Sequence, residues 1–359
     1  MGTRAFTPSP SGRGPGWGLH PYFLSLIGLS LVSMVVAAWD VQDRWIEAGR
    51  TSLTWFKLSL YWGCHLALPV LLGLGVHALM HAVRVRCWRS ILCLLTLCAL
   101  GSLGLWASVI EPKLLHERHV TVHGVPADAP ELRVAVVSDL HIGLYFRPAQ
   151  LQRLVARLND LAVDAILIPG DWTYDPPRDL HATFAPLQAL RQPVFGVLGN
   201  HDLQAPGPNL AAELRTALQA HGVRLLEGQR LAWQQWTLIG LDDAWGGAPE
   251  SQIARLWPAS PASHPPAAPK LVIVHQPDTV AQLPQAAAFL AVAGHTHGGQ
   301  IQLPVLTEQV LRGMSRYGWV NGAYRTSAGH LWVSSGIGTI GLPARLGTPP
   351  TIDVLTLRH

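Results

Sequence analysis

Five short polar segments, each at or just past the end of an apolar run, constrain this chain more than any other feature. They are Ser138-Asp139-Leu140-His141, Gly170-Asp171, Gly199-Asn200-His201-Asp202, His275 and Gly294-His295-Thr296-His297. The runs before them (132–138, 165–168, 193–198, 270–274 and 290–293) are short, apolar and rich in Val and Ile, the pattern of buried strands. In α/β sheets, polar residues at the carboxyl ends of strands converge on one crevice. The segments therefore predict a sheet protein with Asp, Asn and His gathered at one edge.

The intervening sequence supports that layout. Residues 148–161 place Leu151, Leu154, Val155, Leu158 and Leu161 on one helical face. Helices are also expected at 179–190 and 210–221, and further strands at 237–241, 330–335 and 351–357. Strand–helix alternation with a strand-rich end predicts two packed sheets flanked by helices. Residues 244–269 carry Pro258, Pro261, Pro265, Pro266 and Pro269 and read as a surface excursion.

The converging residues have metal-binding chemistry. Neutral imidazoles and carboxylates suit Zn, Fe and Mn. Two divalent ions about 3.5–4 Å apart need anionic charge between them, which one carboxylate supplies. Asp139 and His141 alternate, so both side chains emerge on one side of an extended segment. His295 and His297 repeat this spacing between glycines.

Composition places part of the chain in lipid. Charged residues make up only 13% of the 359 residues, against about 25% in soluble domains. Three apolar stretches, 22–39, about 58–80 and 91–110, approach the ~20 residues that cross a bilayer. The expected organisation is a disordered tail over 1–20, three transmembrane helices over 21–110, a linker over 111–130 and a catalytic domain over 131–359. Arg84, Arg86 and Arg89 lie between the second and third spans, and Arg4 and Arg13 lie in the tail. The positive-inside rule then puts both in the cytoplasm and the catalytic domain outside, in the periplasm of a multi-pass inner-membrane protein.

Residues 1–110 hold 8 Lys+Arg and 3 Asp+Glu, whereas residues 111–359 hold 18 and 19. The basic excess thus belongs to the membrane part, and the catalytic half lacks the net charge of a nucleic-acid binder. Cys64, Cys87, Cys93 and Cys98 all fall in or beside the apolar stretches, which leaves no disulfide framework in the catalytic half.

Taken together as D-x-H, G-D, G-N-H-D, H and G-H-x-H, the five segments resemble the calcineurin-like metallophosphoesterase superfamily over roughly residues 131–357. The Gly294–Ile301 stretch and the ending from Ser335 to Arg345 resemble its membrane-associated bacterial branch. The resemblance implies a four-layer α/β sandwich, two mixed sheets flanked by helices. It implies two divalent ions (Mn, Fe, Zn or Mg), one held by Asp139, His141, Asp171 and His297. The other would be held by Asp171, Asn200, His275 and His295, with Asp171 bridging. A bridging hydroxide would be the nucleophile. His201 would serve the leaving oxygen, with Asp202 beside it as orienter.

The substrate expected is a phosphomonoester, phosphodiester or pyrophosphate, lipid-linked or from the envelope. The alternatives are a pyrophosphatase of a UDP-sugar-lipid in lipid A type synthesis and a non-catalytic membrane sensor. Among other residues, Asp242-Asp243 reads as a turn, and His181, His221, His264 and His330 as surface. Tyr145, Phe146, Trp172 and Tyr174 either line a cleft or pack beneath it. Arg316, Tyr317 and Arg345 are candidates for phosphate contact.

Overall fold

Alternation of side chains along the strands builds the molecule in layers. The computed structural model describes residues 20–42, 44–46, 51–203, 209–258, 268–303 and 306–359. The tail up to residue 19 and residues 259–267 of the proline-rich stretch, His264 among them, lie outside the described residues.

Three helices come first: α1 (His20–Asp40), α2 (Thr51–Arg84) and α3 (Trp88–Leu105). Next are β1 (His116–His123), β2 (Leu132–Val136), β3 (Ile142–Gly143), α4 (Pro148–Asn159), β4 (Ala165–Pro169) and β5 (Thr173–Tyr174). Then follow α5 (Leu180–Phe184), β6 (Val194–Val197), α6 (Ala211–Ala220), β7 (Val223–Leu225), β8 (Gln229–Trp233), β9 (Trp236–Gly240) and α7 (Pro249–Leu256). The chain closes with β10 (Lys270–Ile273), β11 (Leu290–Ala293), α8 (Leu306–Met314), β12 (Gly322–Thr326), β13 (Gly329–Val333) and β14 (Thr351–Arg358).

One sheet has the order β1-β14-β2-β4-β6-β7 and the other β12-β13-β11-β10-β9-β8. Both are mixed. In the first, β2, β4, β6 and β7 run parallel while β14 is antiparallel to β2. In the second, β13, β11, β10 and β9 run parallel and the edge strands β12 and β8 are antiparallel. Val134, Val136, Leu167, Leu271, Ile273, Val292 and Leu355 fill the space between the sheets. Their neighbours Ala135, Ile166 and Ile168 face outward onto Leu151, Leu154, Val155 and Leu158 of α4 and Leu214 and Leu218 of α6. On the far side, Val272, Val274, Ala291 and Ala293 pack on Ile253 and Leu256 of α7 and on Val280. The layers are therefore helix, sheet, sheet, helix.

The stretch expected to be a linker is partly structured. Its residues 116–123 form β1, which pairs in parallel with β14 over eight residues. The surface excursion likewise contains α7, which starts with Pro249 in the first turn, where a missing N–H costs nothing.

Of the apolar helices, α2 and the one beginning at Trp88 are long and apolar enough to cross a membrane, while the described apolar part of α1 is shorter, Leu26–Asp40. At about 1.5 Å per residue, the 34 residues of α2 extend roughly 50 Å. That exceeds a ~30 Å hydrocarbon core. The first turns of α2 dock on the sheets' domain. Leu58 and Ala37 share a buried cluster with Leu144, Tyr145 and Tyr174. Beyond α3 the chain passes through a π-helical turn, Trp106–Ile110. The Ala107 carbonyl there accepts from Arg345 N (2.8 Å), and buried Glu111 accepts from Trp106 Nε1 and Thr348 N (both 2.8 Å).

Candidate metal centre

Asp139 and His141 follow β2, Asp171 follows β4 and Asn200 follows β6, three neighbouring parallel strands of one sheet. His275 follows β10, and His295 and His297 follow β11, neighbours in the other sheet. The two sets of carboxyl ends meet across the sandwich. Asp139, His141, Asp171, His295 and His297 all have left-handed backbones, with φ of 52°, 46°, 53°, 72° and 52°. Positive φ is uncommon outside glycine and collects at functional sites. Two glycines make room for this crowding. A Cβ on Gly199 would overlap the Asp171 carboxylate, and one on Gly294 would overlap Ser138 Oγ and Asp139 Oδ2.

The side chains form two donor groups, Asp139/His141/His297 and Asp171/His275/His295, in each of which the ligand atoms lie within 4.8 Å of one another. In the first, His141 Nε2 stands 2.9 Å from His297 Nε2 and 4.0 Å from Asp139 Oδ1. In the second, Asn200 Oδ1 is 3.0 Å from both His275 Nε2 and His295 Nδ1. Asp171 Oδ2, of the second group, also faces the first: it lies 3.5 Å from His141 Nε2 and 3.2 Å from His275 Nε2.

Carbonyls behind the rings fix which nitrogen faces inward. His141 Nδ1 lies 3.3 Å from Thr173 O and His275 Nδ1 2.9 Å from Pro169 O. Each Nδ1–H donates to its carbonyl, so Nε2 turns toward the centre, as is usual behind a metal-ligating histidine.

Burial sets the charge of the group. It holds the imidazoles of His141 and His295 down at about 3 and His297 well below its ordinary value. These three are neutral, lone-pair donors. Burial acts the same way on His275, but Asp171 outweighs it and raises that ring. Asp171 itself lies below the usual carboxylate range, since His275, His201 and His141 outweigh its burial. Burial pushes Asp139 up to about 7. His141 Nε2 and His297 Nε2 stand 2.9 Å apart, and burial keeps both rings neutral, so their nitrogens are available as metal donors. Nitrogen and carboxylate donors so arranged fit divalent ions.

His201 is half-buried at the rim, its ring edge-on to His141 (5.1 Å) and to Tyr174 (5.4 Å). Its backbone N donates to Asp171 Oδ1 (2.9 Å). Asp202 does not orient it. The Asp202 carboxylate points inward and accepts from Gly199 N (2.9 Å), Trp172 N (3.1 Å), Thr173 N (2.9 Å) and Thr173 Oγ1 (3.0 Å). It ties the loop after β6 to the loop after β4.

Other expectations divide. Trp172 is core, with Nε1 donating to Val197 O (2.8 Å), whereas Tyr174 lies at the site. Arg345 is fully buried and spends its guanidinium on the carbonyls of Gly338, Ser335 and Thr348, so it is not free for phosphate. His221 is buried, not solvated, with Nε2 donating to His181 O (2.9 Å). Asp243 is buried as well and accepts from Gln276 Nε2 (3.0 Å), beside His275. Sequence reasoning missed two site neighbours. Trp245 is exposed and lies 6.4 Å ring to ring from His295. Lys57 reaches in from α2, donating to Tyr174 Oη at 2.6 Å. The isolated charge in an apolar run was the available signal for Lys57.

Residues 132–299 match the family model of the calcineurin-like phosphoesterases. The match marks a calcineurin-like phosphoesterase domain within the chain, on an α/β fold of mixed sheets and helices, and the chain's relatives support a metal-dependent phosphoesterase. The chain is 28% identical over 269 residues to the metallophosphoesterase YkuE of Bacillus subtilis, covering 70% of this chain and 89% of that one. It is 26% identical over 238 residues to the phosphodiesterase YaeI of Escherichia coli, covering 64% and 83%. A transmembrane protein with a metallophosphoesterase domain from Danio rerio is 26% identical over 290 residues, covering 76% of this chain and 63% of that one.

Proposed function

We propose that this protein is a membrane-anchored phosphohydrolase working with two divalent cations. The observation that carries this reading is the position of Asp171 Oδ2, between His141 Nε2 at 3.5 Å and His275 Nε2 at 3.2 Å. Asp139, His141, Asp171 and His297 would hold one ion, and Asp171, Asn200, His275 and His295 the other. Bound there, the ions supply Lewis-acid charge to a phosphoryl group.

The chain's own residues do the rest. Asp171 gives the negative charge that two dications need between them, and its low pKa keeps it ionised. His201 stands at the rim beside His141, where a leaving oxygen would depart. Burial lowers its pKa, so the imidazole is neutral at pH 7 and keeps one N–H to donate to that oxygen. Asp202 holds the two loops that carry Asp171 and Asn200. The substrate is an ester or anhydride of phosphate, and the docked helices favour one presented at a membrane surface, lipid-linked or from the envelope.

The membrane part crosses three times in this reading. The C-terminal end of α1, the N-terminal end of α2 and the C-terminal end of α3 all contact the catalytic domain. Antiparallel spans with those ends on one side put the start of α1 and Arg84, Arg86 and Arg89 on the other. Arginines on the cytoplasmic side place the catalytic domain in the periplasm.

Replacing His201 by Ala tests the catalytic reading. Turnover of bis-p-nitrophenyl or p-nitrophenyl phosphate should fall about 10²–10⁴-fold while metal content is retained. A wild-type protein that binds metal and turns over neither ester would favour a sensor on the same fold.

A further inference from the structure

Lys57 is the one lysine among residues 1–110, and the first turns of α2 bring it to the metal centre rather than to lipid. Its ammonium donates to Tyr174 Oη at 2.6 Å and lies 4.8 Å from the centre of the same ring. That ring stands edge-on to His201 at 5.4 Å and to His141 at 5.7 Å. Lys57 is half-buried, so the group is both held and reachable.

An ammonium has three N–H donors, and Tyr174 takes one. The neighbouring cations are committed elsewhere: Arg44 and Arg147 both pair with Asp40, and Arg345 is wrapped in backbone carbonyls. Burial raises the Asp175 carboxyl, and the Lys57 ammonium offsets part of that effect. Asp175 Oδ2 accepts from Thr54 Oγ1 of α2 at 3.1 Å, its backbone carbonyl accepts from Arg44 (2.8 Å), and its φ is +43°. Thr54 and Lys57, three residues apart, share one face of α2, and that face grips the loop after β5.

We propose that Lys57 is a phosphate-binding residue of the active site, contributed by the membrane helix, that holds a phosphoryl oxyanion of the substrate beside His201. This rests on the phosphohydrolase reading. Two donors of the ammonium remain for oxyanion oxygens, and Tyr174 fixes its direction. The site is then complete only with α2 in place.

The test uses the full chain in detergent, loaded with Mn²⁺, and inorganic phosphate as the probe, with binding measured by calorimetry and p-nitrophenyl phosphate turnover in parallel. Lys57→Gln and Lys57→Met should each weaken phosphate binding about tenfold, the effect of ~1.4 kcal/mol, and raise KM more than they lower kcat. Lys57→Arg should retain most of the affinity. Lys57→Met keeps the apolar stem in place, which separates lost charge from lost packing. Unchanged phosphate affinity in both neutral variants, or equal loss in Lys57→Arg, would overturn the assignment. Because binding is read without turnover, wild-type protein that binds phosphate through Lys57 but hydrolyses no ester would fail the phosphohydrolase reading and leave Lys57 standing.

Discussion

Protons and metals compete for the same atoms in this site. In the metal-free protein His275 holds a proton because Asp171 raises it, and Asp139 holds one below about pH 7 because it is buried. His141 and His295, at about 3, hold none. Metal must displace the protons on His275 and Asp139, so affinity should rise with pH through neutrality, about tenfold per unit for each proton displaced. Calorimetry in buffers of different ionisation enthalpy should show proton release on loading. Heat independent of buffer, with affinity flat from pH 6 to 8, would refute this.

Asp202 answers to a different measurement. It satisfies four buried donors, and leaving buried donors unpaired costs about 1–3 kcal/mol each. Asp202→Ala should lower Tm by several degrees and loosen metal binding through the Asp171 and Asn200 loops. An orienter of His201 would instead slow turnover and leave Tm unchanged.

Elements were legible where period and burial agreed. Leu151, Leu154, Val155 and Leu158 of α4 were expected on one face and are buried together. The parallel strands β2, β4, β6, β10 and β11 were readable as apolar runs. Edge strands were not. In β1 only Val122 is buried, and β8 and β12 have mixed burial without an apolar run. Such strands are defined by pairing with distant partners, which local pattern does not carry. The seven ligand candidates were found because each follows a buried strand. Asp202 was misplaced because sequence adjacency to His201 says nothing about side-chain direction. Leu154 gives the energetic test of the helix layer. Leu154→Ala should cost about 2–5 kcal/mol in a two-state denaturation, the range for a leucine lost from a packed core. A loss below 1 kcal/mol would mean that α4 is not docked as described.

At the scale of the whole molecule, the apolar helices and the catalytic domain share a core. Leu58 and Ala37 pack with Leu144, Tyr145 and Tyr174, Thr54 and Arg44 bond to Asp175 in the loop after β5, and Lys57 bonds to Tyr174 of β5. Removing residues 1–110 would expose that apolar surface. The fragment 111–359 should therefore be less stable and more prone to aggregate than the full chain in detergent. Equal Tm in the two would show that the helices are only a tether.

The central claim is that Asp171 joins two metal sites into one hydrolytic centre. Metal content by mass spectrometry, paired with turnover of the same samples, tests it most directly when the full chain is compared with Asp171→Asn. The account predicts close to two ions per wild-type chain, metal-dependent hydrolysis of a nitrophenyl phosphate ester, and loss of both the second ion and the turnover in the variant. Two ions and undiminished turnover in Asp171→Asn would contradict it.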